Sequence, residues 1–426
     1  MGRVTQELQQ QPSASSTGPL TRSIPTTVLL GLGGMVGAGV FLGPAPAAAL
    51  AGRWFLLALV LTALATTCFV LASAGASAAH GEPGGSYTYI RDQLGPVPAR
   101  IAGALALAGR SAAAAAIAGT LGAYTAPNRP EVVAVAAIVL GVAFNVAKLR
   151  LRAWGWRLVP VVLAVLAVVV VAAFALPPEG PPPVAQPGMP GADNPRGLLA
   201  AAAVSFFHFA GFERLTSPPS PAERYPQRTL RIALPIVMVA AVVTQLIVGA
   251  ALLYQLGAAR LALSRAPLGD LLVAADAATL RPLVAVGAAA AMLPLLIVAL
   301  AAIRNTAVAA IRGRDVPVRA TVAVGRRGPW RLDVVSGGLA AALTVTLGPV
   351  LALQLAASCL LFYYAFASAA ARLILQDGPV WPMRAACVGM VVSVILGMCA
   401  PVPLLIATLG IAAIGAGAGA VIARRW

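Results

Sequence analysis

The sequence has 426 residues, of which 60% are hydrophobic and 10% are charged, with a mean hydropathy of +0.88. This composition excludes a water-soluble globular protein and predicts an integral membrane protein. A net charge of +17 would indicate nucleic-acid binding in a soluble chain. In a membrane protein it can instead reflect the topology, so the positions of the basic residues distinguish the two explanations.

Twelve apolar stretches are long enough for membrane-spanning helices, which need about 20 apolar residues each. We predict these spans at residues 26–50, 53–79, 97–124, 131–147, 154–176, 197–215, 232–256, 282–311, 332–348, 350–375, 381–400 and 402–423. Residues 1–23 are polar and rich in Gln and Ser, which predicts a disordered cytoplasmic tail and not a signal peptide.

The basic residues concentrate on one side of this predicted topology. With a cytoplasmic N-terminus, 23 of the 30 Lys and Arg residues face the cytoplasm, 6 face outward, and Arg110 alone lies within a span. This asymmetry satisfies the positive-inside rule. It predicts a multi-pass plasma-membrane protein with both termini in the cytoplasm, and nucleic-acid binding is not expected.

Neither a cofactor nor a metal ion is expected to bind. Structural metal sites need several ligands at defined spacing, and neither of the two histidines has a partner at such a spacing. The four cysteines lie in apolar spans without paired spacing. They are expected to be small buried hydrophobic residues.

The first span contains a glycine-rich segment, GLGGMVGAGVFLGP, at residues 31–44. One interpretation is a broken helix, whose second half begins near Gly39 and directs unpaired N–H groups and a positive dipole end at an anion. The alternative is close helix packing through the GxxxG pair of Gly33 and Gly37. A dinucleotide-binding loop is rejected, because it needs a preceding strand and a downstream acid.

A second motif, EPGGSYTYIRDQLGP, follows the second span at residues 82–96. Together with GxxxGAGVFLGP in the first span, it resembles the amino acid–polyamine–organocation (APC) transporters. The resemblance covers about residues 25–375. It implies an all-α integral membrane protein of twelve helices, with a five-plus-five inverted repeat and broken helices 1 and 6.

The sixth span carries SFFHFAGFE at residues 205–213 and resembles the family's second broken helix. Paired breaks in the two halves of a transporter are the best sequence pointer to its substrate site, so this segment favours a binding break in the first span as well. Glu213 is the only acid within a predicted span core, which makes it a functional candidate. The proline-rich residues 217–221 end this helix earlier than is usual in the family, and Glu223 alone remains of its acidic pair.

Arg110 lies deep in the third span, where an unpaired charge is costly. We expect it to line the substrate cavity or to pair with an intramembrane acid; the alternative is that it snorkels or holds backbone carbonyls. His208 is either a satisfied core residue or a proton relay.

Two ion-coupling features of relatives are missing. The family's span-five lysine falls near Leu163, and residues 292–303 of span eight have no Ser or Thr for a sodium site. Sodium coupling is therefore not expected. The end of span eight, RNTAVAAIRGRDVP at residues 304–317, still resembles the family's cytoplasmic exit signature.

The resemblance also implies the domain organisation. The first repeat occupies residues 24–176, a Pro-rich outer loop residues 177–196, and the second repeat residues 197–375. Two further helices lie within residues 376–426. The outer segment at residues 259–280 resembles the family's extracellular gating helices.

We therefore predict a secondary transporter, not an enzyme, that moves a small amino acid or related amine across the plasma membrane by alternating access, with proton linkage or exchange. The predicted substrate-binding residues are Met35, Gly37, Ala38, Gly39, Phe206, Phe207, His208, Phe209, Ala210 and Gly211. The N–H groups of residues 37–39 are assigned to the substrate carboxylate, the carbonyls near Met35 and in residues 206–207 to its ammonium group, and Phe207 and Phe209 to gating.

The predicted coupling and gating residues are Glu213, Arg110 and His208, with Glu213 as the main protonation site. The expected partners are the substrate, the lipid bilayer and protons. Two other functions stay open: a transport-dead scaffold or sensor, and a membrane-embedded enzyme. The enzyme is disfavoured because the acidic residues are scattered and the loops are short.

Overall fold

The computed structural model describes residues 23–79, 86–149, 155–178, 185–216, 225–313, 315, 330–376 and 380–423, and these contain helices and no strand. The α-helices are α1 Ile24–Leu42, α2 Pro44–Ala51, α3 Phe55–Ala79, α4 Ser86–Leu94, α5 Pro96–Thr125, α6 Pro130–Val146, α7 Gly155–Ala175, α8 Leu198–Ser205, α9 Glu213–Thr216, α10 Gln227–Leu263, α11 Pro267–Ala274, α12 Arg281–Arg312, α13 Trp330–Ile374, α14 Val380–Met398 and α15 Val402–Ala423.

Within the described ranges, nine helical segments are long and apolar enough to cross a membrane, and two shorter apolar helices lie at Pro130–Val146 and Val402–Gly417. Helix α13 is 45 residues long, or about 68 Å at 1.5 Å per residue, twice a bilayer core. It kinks at Gly348, whose φ of 68° is in the left-handed region. This is the position at which we predict the boundary between spans nine and ten. The count of twelve crossings and the inverted repeat stay predictions.

Helix α5 lies at the centre of the bundle and packs against α6, α12, α13 and α15. Its alanine run at residues 112–116 is buried, because small side chains let neighbouring helices approach closely. Helix α1 packs against α7, α10 and α12 and against the sixth segment.

The predicted interruption of the sixth helix is present. Helix α8 ends at Ser205, two 3-10 turns follow at Phe206–His208 and Ala210–Phe212, and the α-helical hydrogen-bond pattern resumes only at Glu213. We call residues 206–212 the helix-6 break. Phe206, His208, Phe209 and Phe212 in it are fully buried, so its irregular backbone lies inside protein, as the apolar bilayer requires.

The predicted break of the first helix near Gly39 is wrong. Helix α1 continues from Ile24 to Leu42, and the interruption is a bend at Gly43 before α2. Glycine permits unwinding but does not impose it, and an opened turn must find new hydrogen-bond partners in an apolar environment. Pro44 and Pro46 instead mark the bend, since they cannot donate to the carbonyls of Val40 and Leu42 one turn earlier.

Several predicted features lie outside the described residues. They are the tail at residues 1–22, the turn at 80–85, the basic residues 150–154, part of the Pro-rich loop at 179–184, the proline stretch with Glu223 at 217–224, and Arg314.

Candidate functional site

The helix-6 break lies directly against the glycine face of α1. A Cβ atom built on Gly211 would lie 2.1 Å from the carbonyl carbon of Gly34, and one on Gly34 would lie 2.9 Å from the carbonyl oxygen of Gly211. Both distances are far below van der Waals contact, about 3.5 Å or more for carbon atoms. The two main chains therefore touch, and neither position has room for a side chain.

Both glycines of the GxxxG pair pack closely against other helices, as the alternative interpretation of this segment expects. Gly33 faces Val159 of α7, whereas Gly37 faces the carbonyl of Ala291 on α12. The pair thus packs against two helices. The glycines that lie against the helix-6 break are Gly34 and Gly39 of α1 and Gly43 directly after α1, and we call this contact the α1–helix 6 seam.

His208 is the side chain that fills the seam. Its ring is fully buried and lies against α1, where a Cβ on Gly43 would be 1.9 Å from its Cε1 atom. One turn earlier, a Cβ on Gly39 would be 2.4 Å from the His208 Cα. The ring nitrogen Nδ1 lies 3.0 Å from the carbonyl oxygen of Ser205, and Nε2 has no hydrogen-bond partner in the described part of the chain.

The remaining predicted binding residues surround this seam. Met35 is buried in α1, and Ala210 is half-buried in the break. The backbone of Ala38 lies within α1. Because α1 is continuous, the N–H groups of residues 37–39 belong to its helical hydrogen-bond ladder, so their assignment to a substrate carboxylate does not hold in this conformation.

The phenylalanines of the break are buried. Phe206 packs in an aromatic cluster, with its ring centroid 5.8 Å from that of Phe69 and 5.3 Å from that of Tyr364. Phe209 is fully buried and Phe207 is 7% exposed. Phe206 is thus a packing residue here, and the gating role of Phe207 and Phe209 stays a prediction.

Arg110 pairs with Glu213 below the break. Its Nη2 atom lies 3.0 and 3.1 Å from the two carboxylate oxygens, and the two side chains are 15% and 22% exposed. Arg110 also donates to Thr306, and its guanidinium carbon lies 5.3 Å from the centroid of the Tyr363 ring. Helices α5, α9, α12 and α13 therefore meet at one neutralised charge pair.

Thr306 and Tyr363 are not among the predicted site residues. Nothing in their local sequence sets them apart from other polar residues of apolar helices, since their role depends on which helix faces Arg110. Their only sequence signal is the buried charge itself, because an intramembrane arginine needs acceptors and aromatic faces around it.

A second polar cluster ties α4 to the end of α12 that is predicted to face the cytoplasm, and we call it the cytoplasmic cluster. The Nε atom of Arg91 lies 2.7 Å from a carboxylate oxygen of Asp315, and its Nη2 donates to the carbonyl of Gly313 at 2.6 Å. The Tyr87 hydroxyl donates to Asp315 at 2.8 Å. Burial, together with the Asp315 charge, raises the pKa of Tyr87 above its usual value, so the hydroxyl stays protonated and able to donate.

Replacing Asp315 by Asn is expected to loosen the cytoplasmic cluster. The carboxylate is nearly buried, and its loss leaves Arg91 without its charge partner; partly buried pairs of this kind contribute about 1–3 kcal/mol. We expect a lower melting temperature in detergent and faster labelling of a cysteine placed at Thr88. The matched control is Asp276→Asn at an exposed residue. Equal effects of both variants would show that the cytoplasmic cluster does not stabilise the contact between α4 and α12.

On the side that is predicted to face outward, Tyr124 connects the predicted lid to α1. Its hydroxyl donates to the carbonyl of Phe41 at 3.2 Å and accepts from the N–H of Leu268 in α11 at 3.2 Å. The end of α1 is thus tied to α5 and to the outer segment. In the described ranges, no group of three or more His, Cys, Asp or Glu side chains could hold a metal ion.

Comparison with known proteins agrees with this arrangement. The model of a family described as amino acid permease matches residues 23–423. Proteins of Mycobacterium tuberculosis and Mycobacterium bovis, each named an uncharacterized transporter, are 36% identical over 403 residues, which cover 93% of this chain and 90% of theirs.

Proposed function

The chain belongs to the amino acid permease family, and from this membership we propose that it is a secondary transporter of a small amino acid or related amine. It works by alternating access in the plasma membrane, linked to protons or to exchange. The observation that carries the proposal is the helix-6 break, which interrupts a membrane-spanning segment at the point where it touches the glycines of α1. Irregular backbone at membrane depth is characteristic of transporter binding sites.

We further propose the twelve-helix, five-plus-five inverted-repeat architecture for this chain, with repeats at residues 24–176 and 197–375 and both termini in the cytoplasm. The 45-residue α13 supports two crossings, because its kink at Gly348 is followed directly by Pro349. The distribution of basic residues supports the orientation.

The α1–helix 6 seam is best suited to bind the ammonium group of the substrate. Pro44 and Pro46 leave the carbonyls of Val40 and Leu42 without helical donors. In the helix-6 break, the carbonyl oxygens of His208 and Gly211 lie against α1 at Gly39 and Gly34. Carbonyl oxygens accept hydrogen bonds and favour a cation. Met35, Ala38 and Gly39 form the α1 wall of this site, whereas Gly37 packs on α12; Phe207 and Phe209 form its gate.

The charges below the break favour a substrate without net charge. Arg110 and Glu213 neutralise each other, so a dicationic or dianionic substrate finds no fixed counter-charge there. We expect a neutral amino acid or a monoamine to compete best.

The test is uptake of a mixture of ¹⁴C-labelled L-amino acids into proteoliposomes, followed by competition with single amino acids and amines. We expect uptake above that of protein-free liposomes, inhibited by neutral amino acids more than by Arg or Asp. Thermal stabilisation of the purified protein by an amino acid without any flux would instead favour the transport-dead sensor. If the protein shows no flux and is stabilised by none of the compounds, the proposed function is contradicted.

A further inference from the structure

His208 is the one polar side chain of the helix-6 break, and one of its ring nitrogens has no hydrogen-bond partner in the described residues. Its Nδ1 atom lies 3.0 Å from a carbonyl oxygen, which only accepts hydrogen bonds. Nδ1 must therefore carry the hydrogen, and Nε2 keeps a bare lone pair. That lone pair is fully buried and meets no donor in the described residues, an arrangement that costs about 1–3 kcal/mol.

The position of the ring limits what the missing donor is. The ring edge lies so close to the Gly43 backbone that a Cβ there would be 2.4 Å from Nε2 and 1.9 Å from Cε1. A substrate group has no room between them while the seam is closed. If the ring were protonated, its new N–H would face α1 without an acceptor, and a buried, unpaired charge is strongly unfavourable.

Among the described residues, the elements around the ring offer no counter-charge. Of the elements that pack on residues 206–208, α1 and α8 contain no charged residue, α3 contributes the thiol of Cys68, and α13 contributes the phenols Tyr363 and Tyr364. From α10, Gln245 donates to the main-chain carbonyl of His208 at 3.4 Å. The nearest carboxylate along the chain, Glu213, is engaged by Arg110.

We propose that His208, and not Glu213, accepts the proton in the transport cycle, and that it does so only when α1 separates from the helix-6 break. When the seam opens toward the outside, Nε2 takes a proton from external water. When it opens toward the inside, the ring gives that proton to internal water, and the seam then closes on the neutral ring. Glu213 stays paired with Arg110 throughout. This inference rests on the transport function proposed above, and it accounts for the absence of a lysine in span five.

The first experiment compares His208→Gln with the wild type in proteoliposomes given the ¹⁴C-amino acid mixture. With one proton per substrate, a gradient of about one pH unit, acidic outside, supports up to about tenfold accumulation. We expect the wild type to accumulate label. The variant should reach a ratio of internal to external label near one, because Gln has a similar length and an acceptor but cannot hold a proton. It should still exchange label against unlabelled substrate at a measurable rate. Ser205→Ala, which keeps the carbonyl that His208 uses, is the matched control and should accumulate label.

Three outcomes of that experiment overturn the inference. The first is that His208→Gln accumulates label, and the second is that the wild type shows no gradient-driven accumulation. The third is that His208→Gln loses both accumulation and exchange, which indicates that the ring binds substrate. In each case amino-acid flux by the wild type leaves the transport function standing. Absence of flux in every protein contradicts the transport function instead.

A second measurement needs no variant. The carbon-bound Cε1 proton of a histidine exchanges with deuterium at a rate that depends on ring protonation and water access, and mass spectrometry resolves it for each residue. The chain has only two histidines, so His80 serves as the internal reference. We expect His208 to exchange with a sigmoidal pH dependence, and far more slowly than free histidine in water. A complete lack of exchange at every pH, with and without amino acids, would show that the ring never meets water and would refute the inference.

Discussion

Replacing Gly211 by alanine is expected to abolish transport and to destabilise the protein more than any other single methyl addition in the helix-6 break. The new Cβ would lie 2.1 Å from the carbonyl carbon of Gly34, 2.3 Å from its oxygen and 2.5 Å from its Cα. All three are main-chain atoms, so no side-chain rotation relieves the overlap. Relief requires α1 and the break to separate, which we expect to cost about 3 kcal/mol or more.

The measurements are the melting temperature of the purified protein and the initial uptake rate in proteoliposomes. We expect a fall of about 5 °C or more and uptake below about a tenth of wild type, since a displaced break no longer forms the site. The matched control is Gly338→Ala in α13, where a Cβ meets nothing within 4 Å. If Gly211→Ala behaves like this control, the close contact of the two main chains is not part of the folded protein.

Replacing Glu213 by Gln is the second change with a large expected effect. It leaves the Arg110 guanidinium, only 15% exposed, without its charge partner inside the membrane. Removing one member of a buried ion pair costs about 3 kcal/mol or more, because the remaining charge is uncompensated. We expect a lower melting temperature and loss of uptake, since four helices are joined at this pair.

The double variant Arg110→Gln/Glu213→Gln separates charge from packing. We expect it to be more stable than Glu213→Gln alone, because removing both charges removes the uncompensated one. Asp193→Asn serves as control: its pair with Arg53 is exposed at 42% and 72%, and such surface pairs contribute about 0–1 kcal/mol. A double variant less stable than Glu213→Gln would contradict a dominant charge–charge interaction and indicate that hydrogen bonds to Thr306 hold this region together.

The helical spans could be predicted from the sequence because each rests on a local property. About 20 apolar residues in a row can satisfy their backbone in lipid only as a helix. The break of the sixth helix was also predictable, since Gly211 lies between closely spaced aromatic residues and the acid Glu213. Arg110 was recognisable as a residue in need of partners because a charge inside a membrane is costly.

The first helix shows where local signals fail. Six glycines within residues 31–44 are compatible with an unwound segment and with a smooth packing face, and glycine content alone favours neither. The decision came from the partner: the helix-6 break lies against Gly34, Gly39 and Gly43, so the missing side chains are used for contact and α1 keeps its hydrogen bonds. The cytoplasmic cluster escaped prediction for a related reason, since Tyr87 and Asp315 are 228 residues apart.

The membrane class, the family and the break in the sixth helix could be predicted from the chain alone, because they follow from hydropathy and from short motifs along it. The pairing of Arg110 with Glu213, the continuation of α1 past Gly39 and the position of the His208 ring in the seam became visible only in the folded protein. Each of these depends on which helix faces which, and no residue pattern along one helix contains the distance to another.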